Sequence, residues 1–186
     1  METNSQISHI EAQLRECYGR VVYSHKTQEK CADILKRINS RFKWAQIIIS
    51  AINTGGILYT IFGEVNWVGY VSAILSLVLV CINSYLKQYD LGQLMQKHSD
   101  SAVEIWNIRE SYLSLLTDIR AGIISYDEII EKRDNLQSEL KEIYKGGPRT
   151  ISKAYNEATK SLKKNEEMTF SDAEIDAFLP VVLRKK

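Results

Sequence analysis

Proline is nearly absent from this 186-residue chain, occurring only at Pro148 and Pro180, and strand-like alternation of apolar and polar residues is hard to find. Histidine is scarce too, limited to His9, His25 and His98. With no glycine-rich phosphate loop, no HExxH and no paired cysteines, the chain lacks the nucleophile, base or metal set that catalysis needs. No catalytic, cofactor-binding or metal-ligating residue is assigned, and an enzyme is not expected. Cys17, Cys31 and Cys81 follow no spacing pattern, which points to a reducing compartment with neither a disulfide framework nor a zinc site. Charge of one sign is also missing. The 24 basic and 23 acidic residues are interspersed and leave a formal charge of +1, so a general nucleic-acid-binding surface is not indicated.

The most informative lack is local. Trp44 to Gly63 and Trp67 to Leu86 are each 20 residues long and contain no Asp, Glu, Lys, Arg or His. At a rise of about 1.5 Å per residue, such a helix spans roughly 30 Å, the thickness of a bilayer's hydrocarbon core. Glu64, Val65 and Asn66 are too short a link for anything but antiparallel neighbours, so the unit reads as a transmembrane hairpin. A large soluble helical domain can also bury two apolar helices, but the second stretch is hydrophobic around its whole circumference. The first is more polar and would insert most easily together with its partner. Trp44 and Trp67 open the spans, and Tyr85 and Tyr89 follow the second, as headgroup-level aromatics do.

Lys36, Arg37, Arg41 and Lys43 precede the hairpin and Lys87 follows it, whereas the link carries only Glu64, which predicts cytoplasmic termini. No basic, apolar signal sequence opens the chain, so the first span is expected to direct it to the membrane. The expected organisation is an N-terminal amphipathic segment over 1–43, the hairpin over 44–86 and a helical domain over 87–186.

Outside the spans, Ile7, Ile10, Leu14, Tyr18 and Val21 recur at helical steps, pause near Ser24, and resume with Cys31, Ile34, Leu35 and Ile38. This predicts one long or two short helices. Leu91, Met95, His98, Ala102, Ile105, Arg109, Tyr112, Leu116 and Ile119 then alternate by fours and threes, the seam of a coiled coil or bundle. With Gly92 the only glycine between Gly69 and Gly122, a nearly continuous helix from Trp67 to Arg120 is expected, roughly 80 Å long. Ser125 to Glu128 has capping-box form and opens a helix whose seam is Ile129, Arg133, Leu136, Leu140 and Ile143. That helix folds back as an αα-hairpin and stops at Gly146-Gly147-Pro148. A further helix is expected from Ile151 to Asn165, with Ile151, Tyr155, Ala158, Thr159 and Leu162 on one side. A second capping box, Ser171 to Glu174, precedes a last short helix closed by Pro180.

Polar residues within the spans carry the remaining chemistry, because an unsatisfied amide in lipid costs several kcal/mol and forces a partner. Gln46, Asn53 and Thr60 are spaced by seven with Ser50 on the same face, and Gly69, Ser76 and Asn83 are spaced likewise with Ser72 beside them. These stripes either glue helices within one hairpin or dimer, or line a water-filled path between several subunits. In the seams, His98, Arg109 and Arg133 either set register and oligomer state or, for the two arginines, form an anion site for a phosphorylated ligand or a partner carboxylate.

The order of these features resembles a known family. After the two spans the chain reads His98…Ile105-Trp106…Arg109-Glu110…Tyr112…Leu116…Asp118-Ile119…Gly122…Ser125…Glu128…Arg133-Asp134…Leu136…Leu140…Ile143-Tyr144…Pro148…Thr150…Ala154-Tyr155…Ala158. This resembles the SLATT family, bacterial two-transmembrane effectors associated with nucleotide-signal synthases and SLOG sensor proteins. The ending Phe170-Ser171-Asp172-Ala173-Glu174-Ile175-Asp176…Phe178-Leu179-Pro180…Leu183-Arg184 is similar to a subgroup found beside reverse transcriptases in phage-defence loci. The resemblance covers the chain from about Lys26 onward and implies an abortive-infection effector of the bacterial inner membrane. It implies a homo-oligomer, triggered by a cytosolic sensor partner, that opens a pore or breaches the bilayer; it assigns no cofactor and no direct nucleic-acid contact. The alternative is a membrane anchor that recruits a partner such as a reverse transcriptase.

Overall fold

The computed structural model of the chain describes residues 2–63 and 67–185, among which there are only helices, turns and irregular segments. Six α-helices follow in order: α1 Glu2–Phe62, α2 Trp67–Tyr89, α3 Leu91–Ala121, α4 Tyr126–Gly146, α5 Ser152–Lys163 and α6 Asp172–Phe178, with a 3-10 turn at Val181–Leu183. The expected link of Glu64, Val65 and Asn66 lies outside the described residues. Two compact units emerge, one of Cys31–Ser99 and one of Met1–Lys30 with Asp100–Lys186.

The unit Cys31–Ser99 holds the two uncharged stretches. Their most apolar windows are 0% and 6% buried. Core helices of a soluble domain would be buried, so such exposed apolar surface calls for a lipid solvent. Ile47, Ile52, Leu58, Ile61, Ile74 and Leu77 all stand more than half exposed on these helices.

The nearly continuous helix expected from Trp67 to Arg120 has a single interruption, at Asp90, whose φ of 33° lies in the left-handed region. Asp90 N–H still donates to the Leu86 carbonyl at 3.1 Å, closing α2. Its carboxylate accepts from the Gln93 N–H at 3.0 Å, opening α3. Aspartate is a strong helix-start residue because its side chain replaces a missing backbone acceptor. A reading that looks only for glycine and proline breakers passes over it.

The second unit is a helical bundle. Its core joins Ile10, Leu14 and Val21 of α1, Ile105, Ile108, Tyr112, Leu115 and Ile119 of α3, and Ile129 and Leu136 of α4. Burying each such side chain contributes roughly 1.5–3 kcal/mol, which is what holds three amphipathic helices together. On α3 the buried residues are Ile108 and Leu115 rather than the expected Arg109 and Leu116. Because α3 is packed by both α1 and α4, its buried stripe is wider than a two-helix seam and follows 3.6 rather than 3.5 residues per turn.

The pause in the apolar pattern near Ser24 is not a break, since α1 is one 61-residue helix. His25, Thr27 and Gln28 continue its buried face there with polar side chains. Gly122 ends α3 with φ 68°. The Gly122 and Ile123 N–H groups donate to the Ile119 and Asp118 carbonyls, the paired bonds of a Schellman stop. Ser125 and Glu128 form the reciprocal capping box of α4, and Ser171 and Glu174 that of α6. On α5 the buried residues are Ala154, Ala158 and Ser161, while Ile151 and Tyr155 stand half exposed. Small side chains give the closer approach, and Tyr155 stacks on Tyr23 at 5.8 Å between ring centroids.

Candidate functional site

The two polar stripes face each other inside the hairpin. Gln46 Nε2 donates to Asn83 Oδ1. One heptad along, Asn53 Nδ2 donates to Ser76 Oγ at 2.8 Å. One heptad further, a Cβ on Gly69 would stand 3.4 Å from Thr60 Cγ2. Each seven-residue step along α1 is thus matched by a seven-residue step back along α2, the register of an antiparallel pair. Seven residues is close to two turns, so both stripes keep to one face and meet along the whole length.

Close approach depends on glycine. A Cβ on Gly56 would lie 2.6 Å from Ser72 Oγ, closer than van der Waals contact permits. Ser72 is buried and its carbonyl accepts the Ser76 hydroxyl at 2.9 Å. Thr60 and Thr54 turn their hydroxyls back onto the Gly56 and Ser50 carbonyls, both at 2.9 Å, leaving Ser50 itself exposed. Asn53 is the exception to this tidy pairing: its Oδ1 is buried and has no hydrogen-bond partner. In a medium that cannot hydrogen-bond, this is the least satisfied point of the seam.

Of the seam residues outside the hairpin, His98 belongs to the unit of the spans and Arg109 and Arg133 to the bundle unit. His98 is buried, and burial lowers its pKa. Arg109 and Arg133 are not brought to one anion. Arg109 Nε donates to Glu110 at 2.9 Å and Arg133 Nε to Asp134 at 2.9 Å. Arg133 also reaches Gln13 Oε1 on α1 at 3.5 Å. Between α1 and α4 opens a cavity of about 620 Å³ that Tyr112 and Cys17 help to line. Burial, and then the Cys17 thiol, push the Tyr112 hydroxyl up to about 12.

A polar cluster on α1 had no counterpart in the sequence reading. Lys26 Nζ bonds Glu29 at 3.0 Å and Glu167 at 2.9 Å, and Lys30 Nζ reaches Glu167 at 3.6 Å. The lysine side chains are only 12% and 17% exposed, so these are inward-facing cations. Burial opposes the Lys26 charge, but bonds to Glu167 and Glu29 outweigh it and raise its pKa. The Lys26 ammonium, with help from Asn165 and Ser161, draws the Glu167 carboxyl down to about 2. His25 lies alongside, its Nε2 at 3.7 Å from Glu29 and its Nδ1 buried with no partner. Burial foremost, then Arg109 and Lys26, lower its pKa against the opposing pull of Glu29 and Glu110. The signal for this cluster was present as the polar pause in the α1 stripe, but its acidic partner is about 140 residues away in sequence.

Comparison with known families fits this architecture. The family model described as SMODS and SLOG-associating 2TM effector domain family 4 matches residues 10–174, which takes in most of α1, all of α2 through α5 and the start of α6. No curated protein and no solved structure matches the chain.

Proposed function

Because the chain belongs to the SMODS and SLOG-associating two-transmembrane effector domain family, a family of effectors rather than a known enzyme family, we propose that it is the membrane-acting arm of a bacterial anti-phage system of the abortive-infection kind. A sensing partner detects infection, several hairpins assemble in the inner membrane with both termini in the cytoplasm, and the bilayer loses its integrity. The partner is a nucleotide-signal synthase, a SLOG protein or a reverse transcriptase.

The observation that carries this reading is the seam of Gln46, Asn53, Ser76 and Asn83, polar groups concentrated on one face of otherwise lipid-compatible helices. In the shut hairpin they bond to one another, with only the Asn53 Oδ1 left over. On assembly of several hairpins the same groups, with Ser50, Thr60, Gly69 and Ser72, turn to a shared water-filled path, as intramembrane polar residues do in ion pathways. The test is membrane potential in infected cells expressing the protein with its genomic neighbour. Collapse of the potential before lysis is expected, and cell death with the potential intact removes the pore.

The pairing of Gln46 with Asn83 and of Asn53 with Ser76 within one hairpin favours a second reading, an anchor that holds a partner at the inner membrane. An anchor tolerates replacement of both spans by unrelated apolar helices, whereas a pore loses toxicity. The gene next door identifies the partner in either case.

A further inference from the structure

Between α5 and α6 the chain crosses α1 as a strap of residues 164–171. Its seat on the bundle is electrostatic. Glu167 places one carboxylate oxygen 2.9 Å from Lys26 Nζ and 3.6 Å from Lys30 Nζ. The next residue, Met168, puts its thioether 3.7 Å from Arg109 Nη1. From Lys164 to Phe170 every residue except Met168 is exposed, so the strap adds almost nothing to the apolar core. Glu166 sits at φ 50°, a left-handed conformation that a non-glycine residue holds only under constraint.

The cations beneath are poorly matched to what covers them. Lys26 has Glu29 as well as Glu167, but Lys30 meets the strap's single carboxylate only at the loose distance of 3.6 Å. Arg109, 16% exposed at its side chain, pairs with Glu110 through Nε and Nη2 and turns Nη1 to the strap, where it meets only a thioether, among the weakest acceptors in proteins. His25 offers a buried Nδ1 with no partner beside them. Lys26, Lys30 and Arg109 balance Glu29, Glu110 and Glu167 in charge only while the strap is seated. Lifting Glu167 away leaves an inward-facing positive pocket.

We propose that Lys26, Lys30 and Arg109 form a binding site for a small soluble phosphate-bearing ligand, that Glu167 occupies it as an internal stand-in, and that ligand entry releases the strap. A phosphate group fits better than the resident carboxylate because it offers three strongly accepting oxygens and a charge of about −1.5 to −2. It can take two ammonium groups and a planar guanidinium at once, where the carboxylate reaches only the lysines. Lys26 and Lys30 lie on α1, which continues to Phe62. That this exchange is the trigger of the effector rests on the function proposed above; the binding itself does not.

The experiment uses the full-length protein in lipid-free detergent, titrated with inorganic pyrophosphate against chloride at matched ionic strength, with hydrogen exchange as readout. Exchange over residues 164–169 should rise while residues 23–30 become protected. Glu167→Gln, which weakens the stand-in, should bind pyrophosphate about tenfold more tightly, and Lys26→Met with Lys30→Met at least about tenfold more weakly. Because Glu167→Gln predicts a gain, misfolding cannot imitate it. Equal responses to pyrophosphate and chloride in wild type and Glu167→Gln overturn the site. Strap release only in nanodiscs containing phosphatidic acid overturns the soluble ligand in favour of a lipid headgroup. Strap release by pyrophosphate in a protein that leaves membrane potential intact during infection keeps the site and removes the pore. Undiminished loss of potential in the double lysine variant keeps the pore and removes this site as its trigger.

Discussion

The hairpin and the helical bundle solve the same problem, a polar residue on a buried helix face, with opposite chemistry. In the hairpin every such residue is uncharged, and amides and hydroxyls pair across the seam within the reach of one hydrogen bond. In the bundle the buried face of α1 turns to His25, Lys26 and Gln28, and its cation is met by carboxylates. Solvent explains the difference. A bundle surface in water can leave Glu167 one-third exposed and still hold it against lysine, whereas lipid offers no such partial hydration. Strength follows from the same distinction. The seam is a row of weak bonds that no single loss destroys, while the strap hangs on one carboxylate.

The sharpest way to break this comparison is to exchange the two chemistries. Asn53→Asp keeps the shape of the seam but places a carboxyl at mid-span, which should cost about 3 kcal/mol of insertion free energy and deplete the protein from the membrane fraction. Normal membrane yield would mean that water already reaches Asn53. The reverse exchange, Lys26→Met, removes the cation that Glu167 and Glu29 share. A lower melting temperature is expected, with a smaller drop than for a fully buried pair because Glu167 is partly hydrated.

That pair also has a pH signature. Glu167 titrates far below an ordinary carboxyl, so the unfolded chain takes up its proton first as pH falls. Its stabilisation is therefore complete above about pH 4.5 and is lost progressively toward about pH 2. His25 works in the same direction in its own range: its lowered pKa means stability present above its ordinary value of 6.5 and diminishing below it, where a proton must enter beside Arg109 and Lys26 against the pull of Glu29 and Glu110. Thermal melting followed by circular dichroism should show the acid limb in wild type. In Lys26→Met that limb should flatten, and an unchanged limb would detach Glu167 from Lys26.

How much of this was legible in the sequence depends on how far apart the partners are. The spans were legible because absence of charge over 20 residues is a local property. The capping boxes at Ser125 and Ser171 were legible for the same reason, since their partners lie three residues on. The seven-residue spacing of the stripes predicted two faces but left open what each would meet, and the structure places them on each other. Asp90 was missed because it interrupts a helix by capping the next one, which looks locally like an ordinary polar residue. The Lys26–Glu167 cluster was missed because nothing in either segment names the other. The arginines mark the same limit: seam position left open whether Arg109 and Arg133 set register or share an anion, and in the structure each pairs with the acid next to it in sequence.

A smaller effect tests the bundle's local wiring. Ser125→Ala removes the hydroxyl half of the α4 capping box, leaving the backbone N–H of residue 125 to donate to Glu128, and should cost about 1 kcal/mol, visible as a lower melting temperature with membrane yield unchanged. Ser171→Ala removes the same half of the motif from α6, a helix with no buried residues, and should leave the melting temperature almost unmoved. Equal losses would mean that the α6 segment is packed more firmly than its exposure indicates.

The smallest stability effect carries the most functional information. Asn53→Leu deletes the hydrogen bond to Ser76 and also removes the unpartnered Oδ1, so the loss and the relief nearly offset. Interhelical hydrogen bonds in membranes average about 0.6 kcal/mol, because helices that part in lipid find other partners. Asn53→Leu, alone or with Asn83→Leu, should therefore leave insertion and hairpin formation intact. If the seam is only glue, toxicity also survives, since apolar packing replaces a bond of little net worth. If the same groups line a path in the active assembly, leucine closes that path with two apolar rings, and toxicity disappears from a protein whose stability has hardly changed. Membrane fractionation together with survival after infection separates the two, and unchanged toxicity at normal membrane yield would assign the seam to packing alone.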